Sequence, residues 1–167
     1  MRRKELEITD SKEIDDIIER ADVCRIAISH NDIPYIVTMN FGYRKGKEPA
    51  LFLHSAAKGK KIEIINQNNM ACFQMSIDHK LVETHVRCNC GMIYKSVVGM
   101  GRIFFVTDNA EKIEALNSLM KHYHGHDQYQ FKKAYVNETT VLRLDINEIS
   151  GKKCEWQVKQ EAGLQAV

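Results

Sequence analysis

Short runs of β-branched and aromatic residues, each closed by turn-forming residues, recur along the first third of the chain. VCRIAIS at 23–29, PYIVTMNF at 34–41 and ALFLHS at 50–55 follow one another, with HND after the first run and YRKGKEP between the second and third. Such runs are typical of β-strands, and connections this short join antiparallel neighbours. The pattern therefore predicts a three-stranded meander, with Pro34 at a strand start or on an edge because proline cannot donate to a ladder.

Three further strands are predicted downstream: NMACFQMS at 69–76, SVVGMGRIFFV at 96–106 and TTVLRLDINEIS at 139–150. The glycines in the predicted strand at 96–106 indicate a bulge, a bend or a close approach by a ligand. ETHVR at 83–87 alternates and is a candidate edge strand. Strands joined mostly by tight turns predict a mainly β fold, an antiparallel barrel with helical caps.

Three helices are predicted, one before the first of these strands and two between later ones. Asp10 with Glu13, and Asp108 with Glu111, are spaced as capping boxes that begin a helix. The second of these helices is expected to end at Gly125, and a short helix is predicted at 59–67.

Composition limits the class of protein. The chain has 167 residues, 44% of them hydrophobic, and a formal charge of +2, so we expect one domain over 1–155 with a tail at 156–167, and no strong overall attraction for nucleic acid or membrane. The start lacks the apolar segment of a secretion signal, and the odd count of five cysteines suits free thiols. We therefore expect a cytoplasmic protein.

A basic turn stands out in HSAAKGKKIEII at 54–65. Lys58, Lys60 and Lys61 cluster where a helix begins, although cations usually avoid that end of the helix dipole. A bound dianion such as a phosphate would remove the conflict. The alternative, an exposed loop whose lysines extend into water, stays open on local sequence alone.

The order and spacing of PYIVTMNFGY, LFLHSAAKGKKI, ACFQMS and YKSVVGMGRIFF resemble the FMN-binding split-barrel family related to pyridoxamine 5'-phosphate oxidase, and within it the 5-nitroimidazole-resistance (Nim-like) branch. The resemblance covers about residues 5–150, and the signatures HSAxxGKK and CNCGMxYKSVVGxGR make it specific. It implies a six- to seven-stranded antiparallel split β-barrel. It also implies a homodimer with FMN in two equivalent grooves between the subunits.

The resemblance also implies which residues hold the cofactor. The strand PYIVTMN would lie along the isoalloxazine ring, the turn would hold the phosphate with room for it beside the backbone, and a third strand would complete the groove. The residues so implied are Tyr35, Ile36, Val37, Thr38, Met39, Asn40, His54, Ser55, Ala56, Gly59, Lys60, Lys61, Ser96 and Val97.

The activity implied is flavin-dependent reduction of small electron acceptors such as nitroaromatic compounds. His54 is the hypothetical catalytic residue, a proton donor at the flavin edge. Trp156 lacks the arginine partner of true pyridoxamine phosphate oxidases, so we do not expect that activity. The alternatives are a haem-binding or haem-handling split barrel and a non-enzymatic flavin-binding protein. The source of reducing equivalents is open, because the chain has no GxGxxG fingerprint.

No metal site is predicted. Cys88 and Cys90 lie near His79 and His85, but C-x-C is not the usual zinc spacing. In HYHGH at 122–126, a helix end at Gly125 would separate the outer histidines, so these side chains are expected to form a polar helix end. The thiols are expected to be free.

Overall fold

The computed structural model describes residues 3–85 and 89–155, and most of this backbone lies in antiparallel strands. The strands are β1 (Glu7–Ile8), β2 (Cys24–His30), β3 (Ile33–Met39), β4 (Phe41–Arg44), β5 (Ala50–Ser55), β6 (Met70–Val82), β7 (Gly91–Val106) and β8 (Thr140–Cys154). The helices are α1 (Ser11–Arg20), α2 (Lys60–Gln67), α3 (Asn109–His124) and α4 (Lys133–Glu138), with a 3-10 turn at Lys4–Leu6.

The strands form one antiparallel sheet in the order β3-β2-β6-β7-β8-β5-β4, and β1 pairs with β8. Within the described residues the sheet is not closed, because β3 and β4 stand at its two edges. The mainly β, antiparallel split barrel is therefore confirmed. Seven strands form the main path, as predicted, and β1 adds a short eighth. Pro34 lies in β3, an edge strand, as its missing N–H requires.

The strand predicted for 34–41 is wrong at its end. Met39 pairs with Cys24 of β2, whereas Phe41 pairs with Leu53 of β5. At Asn40, between them, the chain passes from one edge of the sheet to the other. A local run of strand-forming residues cannot reveal such a crossing, because it depends on which distant strands are available to pair.

The long strands β6 and β7 extend beyond their predicted ends and include most of the stretch at 77–94. The β6–β7 register shifts between Ile77 and Lys80, and Asp78 has a φ of 57°. This bulge interrupts the alternation that marks a strand. The edge strand proposed at 83–87 is wrong for 83–85, which form no strand, and 86–87 lie outside the described residues.

Of the bulge, bend or ligand approach expected from the glycines of β7, the structure shows a bulge, since the β7–β8 register shifts between Met100 and Gly101. A Cβ on Gly101 would lie 1.9 Å from the carbonyl oxygen of Asp145. Glycine is therefore needed here for the close approach of β8.

Helix α1 begins as predicted but without a complete capping box. The Asp10 carboxylate accepts from the Lys12 amide at 2.9 Å. Glu13 does not reach back to the cap, because its carboxylate pairs with Lys95 of β7 at 2.9 Å.

Helix α3 shows the same half-formed box. Asp108 accepts from the Glu111 amide at 2.9 Å, while the Glu111 carboxylate pairs with Arg143 of β8. The helix ends at Gly125 with a φ of 80°, as predicted.

Besides the 3-10 turn and β4, whose Tyr43 and Arg44 fall in the predicted turn, two elements were not predicted. Strand β1 has two residues, too few for a pattern. Helix α4 lies in the polar stretch at 125–138, and Val136 is its buried residue, so the sequence shows no apolar stripe there.

The main core lies between α1, α2 and the inner faces of the sheet, and a smaller one lies under α3. The largest fully buried side chains of the main core include Phe41, Phe73, Ile17, Ile18 and Met75. The described residues contain no helix with the length and apolar character needed to cross a membrane.

Candidate functional site

The predicted site begins where β5 leaves the core. Leu53 is fully buried, the next residue His54 is exposed, and Ser55 is half-buried. Ala56 and Gly59 are exposed in the loop that follows. The strand thus delivers an imidazole and a hydroxyl to the surface beside an open loop.

Gly59 caps α2 with a φ of 128°, a conformation that side-chain-bearing residues rarely adopt. No atom lies within 4 Å of the position that a Cβ would take. The backbone at the helix start is therefore open to an incoming group.

No acidic partner of the lysines of this turn is found within residues 3–85 and 89–155. Lys58 and Lys60 are exposed and Lys61 is half-buried. Among the described residues, none of the three forms an ion pair. Lys60 Nζ instead lies 4.8 Å from the centre of the Tyr35 ring. The structure thus brings Lys60, one of the two predicted phosphate lysines, next to the predicted ring-binding strand β3.

The six β3 residues predicted to contact a ring lie on both faces of the strand. Tyr35, Val37 and Met39 pack toward the core, while Ile36, Thr38 and Asn40 are exposed. Ile36 is 65% exposed, unusual for its side chain. A ligand outside the sheet would therefore meet only the second group through side chains, besides the free backbone edge of β3.

Ser96 and Val97 lie elsewhere. Val97 is fully buried in the main core, so its side chain is not accessible to a ligand. His54 pairs with Val141 of β8, and Ser96 pairs with Lys152 of the same strand. At about 3.3 Å per residue, these two positions on β8 are about 35 Å apart along the strand. Within one chain, Ser96 is not part of the group around His54.

The neighbours of Ser96 include Lys152 and Tyr94, which sequence reasoning missed. Lys152 Nζ donates to the Tyr94 hydroxyl at 2.9 Å. The sequence held one signal for Lys152. It lies two residues after Ser150, the last residue of a predicted strand whose side chains alternate between two faces. A cavity of about 330 Å³ opens nearby, lined in part by Arg25, Ser76 and His79.

The sheet carries an outer apolar face, formed by Ile36, Met70, Cys72, Val98 and Met100. The register aligns Ile36 with Ala27, Ala27 with Cys72, and Cys72 with Met100. Met70, Val98 and Met100 are each more than 40% exposed. Exposed apolar surface on neighbouring strands is typical of a binding or subunit interface.

The histidines near Gly125 have protein partners. His122 Nε2 lies 2.8 Å from the carbonyl oxygen of Ala21, and His126 Nε2 lies 2.7 Å from the Tyr129 hydroxyl. Cys90 Sγ lies 3.4 Å from the Thr84 amide, and Cys88 lies outside the described residues. Over the described ranges, no group of three or more Cys, His, Asp or Glu side chains is placed to hold a metal.

Comparison with known proteins gives one family. The model of the pyridoxamine 5'-phosphate oxidase family matches residues 10–153. Among proteins of curated function, none matches the sequence.

Solved structures share the fold. One is a proposed 5-nitroimidazole antibiotic resistance protein from Bacteroides thetaiotaomicron, 36% identical, with a TM-score of 0.78 over 89% of this chain and 86% of that one. A flavocytochrome from Azotobacter vinelandii is 19% identical, with a TM-score of 0.76 over 93% and 72% of the two chains. An FAD and haem binding protein from Mycobacterium smegmatis is 16% identical, with a TM-score of 0.75 over 89% and 73%. The last two are too distant in sequence to show more than the fold.

Proposed function

The chain belongs to the pyridoxamine 5'-phosphate oxidase family, and on this premise we propose that it is a homodimeric FMN-binding reductase of small electron acceptors such as nitroaromatic compounds. One observation carries the proposal. Lys60 lies against Tyr35 of the exposed edge strand β3 and shares its turn with Lys58 and Lys61. Among the described residues, none of the three lysines forms an ion pair. A cationic turn next to an apolar strand fits a ligand that joins a dianionic phosphate to a flat apolar ring.

The residues of the turn fit the phosphate. Lys60 and Lys61 would supply charge and Ser55 a hydroxyl, while the backbone amides of Ala56 and Gly59 are donors beside open space. The Ser55 hydroxyl donates to the Ala56 carbonyl at 2.9 Å, a contact that a stronger acceptor would replace.

The ring would lie on the outward side of β3. Ile36 offers apolar contact and Thr38 a hydroxyl, and the backbone of an edge strand keeps unpaired donors and acceptors. Tyr35 contributes indirectly, because its ring holds Lys60 in place.

A second subunit would explain the position of Ser96. About 35 Å of strand separates the partners of His54 and Ser96 on β8, so one ligand touches both residues only if two chains contribute. The outer apolar face would be covered in the same assembly. This supports a homodimer in which each site takes residues from both subunits.

Bound FMN would supply the transfer of electrons to the acceptor. The residues of the chain would bind FMN and the acceptor, and would transfer a proton. His54, exposed at the end of β5, is placed to donate a proton to a reduced oxygen or nitrogen of the acceptor. The nitroaromatic class is proposed from the 36% identity to the protein from Bacteroides thetaiotaomicron.

A cytoplasmic location is proposed on the thiols. Cys24, Cys72, Cys90 and Cys154 are all free in the described residues, as a reducing compartment would keep them.

The spectrum of the purified protein, before and after adding FMN, tests the proposal. We expect a bound yellow chromophore, and for the variant Lys60→Glu with Lys61→Glu a loss of FMN affinity of at least about 100-fold, because two charge-assisted contacts become repulsive. The matched control is Lys132→Glu with Lys133→Glu, an adjacent pair of exposed lysines elsewhere in the chain. It should bind FMN as the wild type does.

Three outcomes would contradict the proposal. A protein that binds no FMN at any concentration is not an FMN reductase. A Soret band on adding haem, with haem displacing flavin, would favour the haem-binding alternative. Tight FMN binding without reduction of any nitroaromatic acceptor by the chemically reduced protein would favour a non-enzymatic flavin-binding protein.

A further inference from the structure

A polar cavity of about 330 Å³ opens beside the end of α1, on β2 and β6. Its lining includes Arg20, Asp22, Arg25, Ser76, Asp78 and His79. Arg25 of β2 pairs directly with Thr38 of β3, and directly opposed residues of an antiparallel pair point to the same face of the sheet. The cavity therefore adjoins the strand on which the proposed function places the flavin ring.

The carboxylate of Asp78 in this lining is neutralised within the chain. The Arg20 guanidinium donates to both of its oxygens, and it also donates to Asp16 at 3.1 Å. Because two carboxylates share Arg20, this arginine has little positive charge left for a ligand. Asp22, which also lines the cavity, is exposed, so water weakens its interaction with a bound anion.

Arg25 keeps most of its hydrogen-bonding capacity. Its guanidinium makes one long contact, to the Gln74 side-chain oxygen at 3.4 Å. It forms no ion pair with any residue in the ranges 3–85 and 89–155. Because a guanidinium has five N–H donors in a planar fork, Arg25 can still bind a carboxylate through two parallel hydrogen bonds.

The bulge in β6 places a further donor at the cavity. Two residues of β6, Asp78 and His79, stand opposite a single residue of β7, and Asp78 has a φ of 57°. A bulge redirects the side chains at its position, and Arg20 holds this one through Asp78. Among the described residues, the His79 and Ser76 side chains have no hydrogen-bond or charged partner. Together with Arg25 they give the cavity three side chains with available donors.

We propose that this cavity binds one end of the electron acceptor and that Arg25 selects acceptors that carry a carboxylate. The inference rests on the proposed function. A carboxylate matches these donors better than a neutral group does, because hydrogen bonds to a charged acceptor are about twice as strong. With the carboxylate on Arg25, the rest of a flat acceptor extends toward Thr38, beside which the ring would lie. The acceptor class is then a nitroaromatic carboxylate.

The acceptors para-nitrobenzoate and para-nitrobenzamide test the selection, because they differ in charge and hardly in shape. Reoxidation of the chemically reduced, FMN-loaded protein gives the rate constant for each acceptor. We expect Arg25→Gln to lower the ratio of the two rate constants, benzoate over benzamide, about tenfold, because only the benzoate loses a charge-assisted contact. The benzoate concentration that gives half the maximal rate should rise while the maximal rate changes little, because Arg25 binds the acceptor and transfers no electron or proton.

Two further arginine variants serve as rescue and control. Arg25→Lys keeps a positive charge without the planar fork, and should recover part of the ratio. Arg102→Gln is the matched control, because Arg102 is an exposed arginine of β7 that donates to Asn69 at 3.0 Å and does not line the cavity. It should keep the wild-type ratio.

Calorimetry of the oxidised, FMN-loaded protein with para-nitrobenzoate measures binding without turnover. Arg25→Gln should bind this acceptor about tenfold more weakly than the wild type and should bind FMN equally well. Ser76→Ala, which removes a second donor of the cavity, keeps the test valid if Arg25→Gln fails to fold. It should weaken para-nitrobenzoate in the same direction.

Three results would overturn the inference and leave the proposed function standing: no binding of para-nitrobenzoate to the oxidised wild type, a ratio of rate constants unchanged in Arg25→Gln, or a loss of FMN affinity in Arg25→Gln as large as the loss for the acceptor. The last result would assign Arg25 to the flavin. A wild-type protein that binds FMN and, once reduced, transfers electrons to neither acceptor would overturn the proposed reductase function and the inference with it.

Discussion

His54 is exposed although Leu51, Phe52 and Leu53 before it are fully buried. An imidazole placed at the surface directly after three buried residues, next to an open cationic turn, is available to a bound acceptor. Its proposed work is proton donation, since imidazole can exchange a proton near neutral pH.

We expect His54→Ala to keep FMN and to lower the rate of nitroaromatic reduction about 100-fold, the usual scale of lost acid catalysis. Single-turnover reoxidation of the chemically reduced protein by the acceptor measures that rate. His124→Ala, an exposed histidine at the end of α3, is the control. An unchanged rate in His54→Ala, with FMN still bound, would contradict the proposed role of His54 as a proton donor.

Cys24 makes stability depend on alkaline pH. Its side chain is fully buried, and burial raises the pKa of the thiol from 9.0 to about 12. Above pH 9 the unfolded chain releases this proton and the folded chain keeps it, so the free energy of unfolding falls as pH rises toward 12. The loss from this group is about 1.4 kcal/mol by pH 10.

Urea unfolding at pH 7.5 and pH 10 checks this expectation. The stability difference between the two pH values should be smaller by about 1.4 kcal/mol in Cys24→Ala than in the wild type. Cys154→Ala, which removes a thiol that is not fully buried, should behave as the wild type does. Equal pH dependence of Cys24→Ala and wild type would contradict the assignment.

At the scale of elements, the helix caps show that contacts with the sheet change the side-chain partners expected from local sequence. Glu13 and Glu111 stand where a capping box needs them, yet each pairs with a cation on a strand, Lys95 or Arg143. At each of these helix starts, the aspartate caps the first-turn amide without help from the glutamate. These ion pairs join the helices to the sheet instead of closing the helix ends.

Asp108→Ala should therefore lower the free energy of unfolding by about 1 kcal/mol, the usual cost of losing a cap. Asp108→Asn, which keeps an acceptor for the Glu111 amide, should retain most of the stability. Chemical denaturation of both variants measures the difference. Equal stability of Asp108→Ala and wild type would show that the cap contributes nothing.

At the scale of the whole molecule, the outer apolar face is the surface that a second subunit would cover. We expect Met100→Lys to convert the dimer to a monomer, because a charge would be buried in an apolar contact. Light scattering after size exclusion measures the mass. Tyr135→Lys, on a side chain that is 64% exposed on α4, should stay dimeric. A dimeric Met100→Lys, or a monomeric wild type, would contradict this interface.

The sequence by itself determined what depends on local pattern. Alternating short runs predicted the antiparallel strands, Asp10 and Asp108 the helix starts, Gly125 a helix end, and the glycines of β7 its bulge. The spacing of the HSAxxGKK turn and the strands around it predicted the family. For the strands, the helix ends and the bulge, the residues that decide the structure are close together in the chain.

Only the tertiary structure decided which of these residues meet. It divided the predicted strand at Asn40 and placed Lys60 against Tyr35. It also separated the β8 partners of His54 and Ser96 by about 35 Å along the strand. It also set Lys152 beside Ser96, a pair that no motif had joined. The physical reason is the register between distant strands: it follows from packing both faces of the whole sheet, and no short window of residues contains that information.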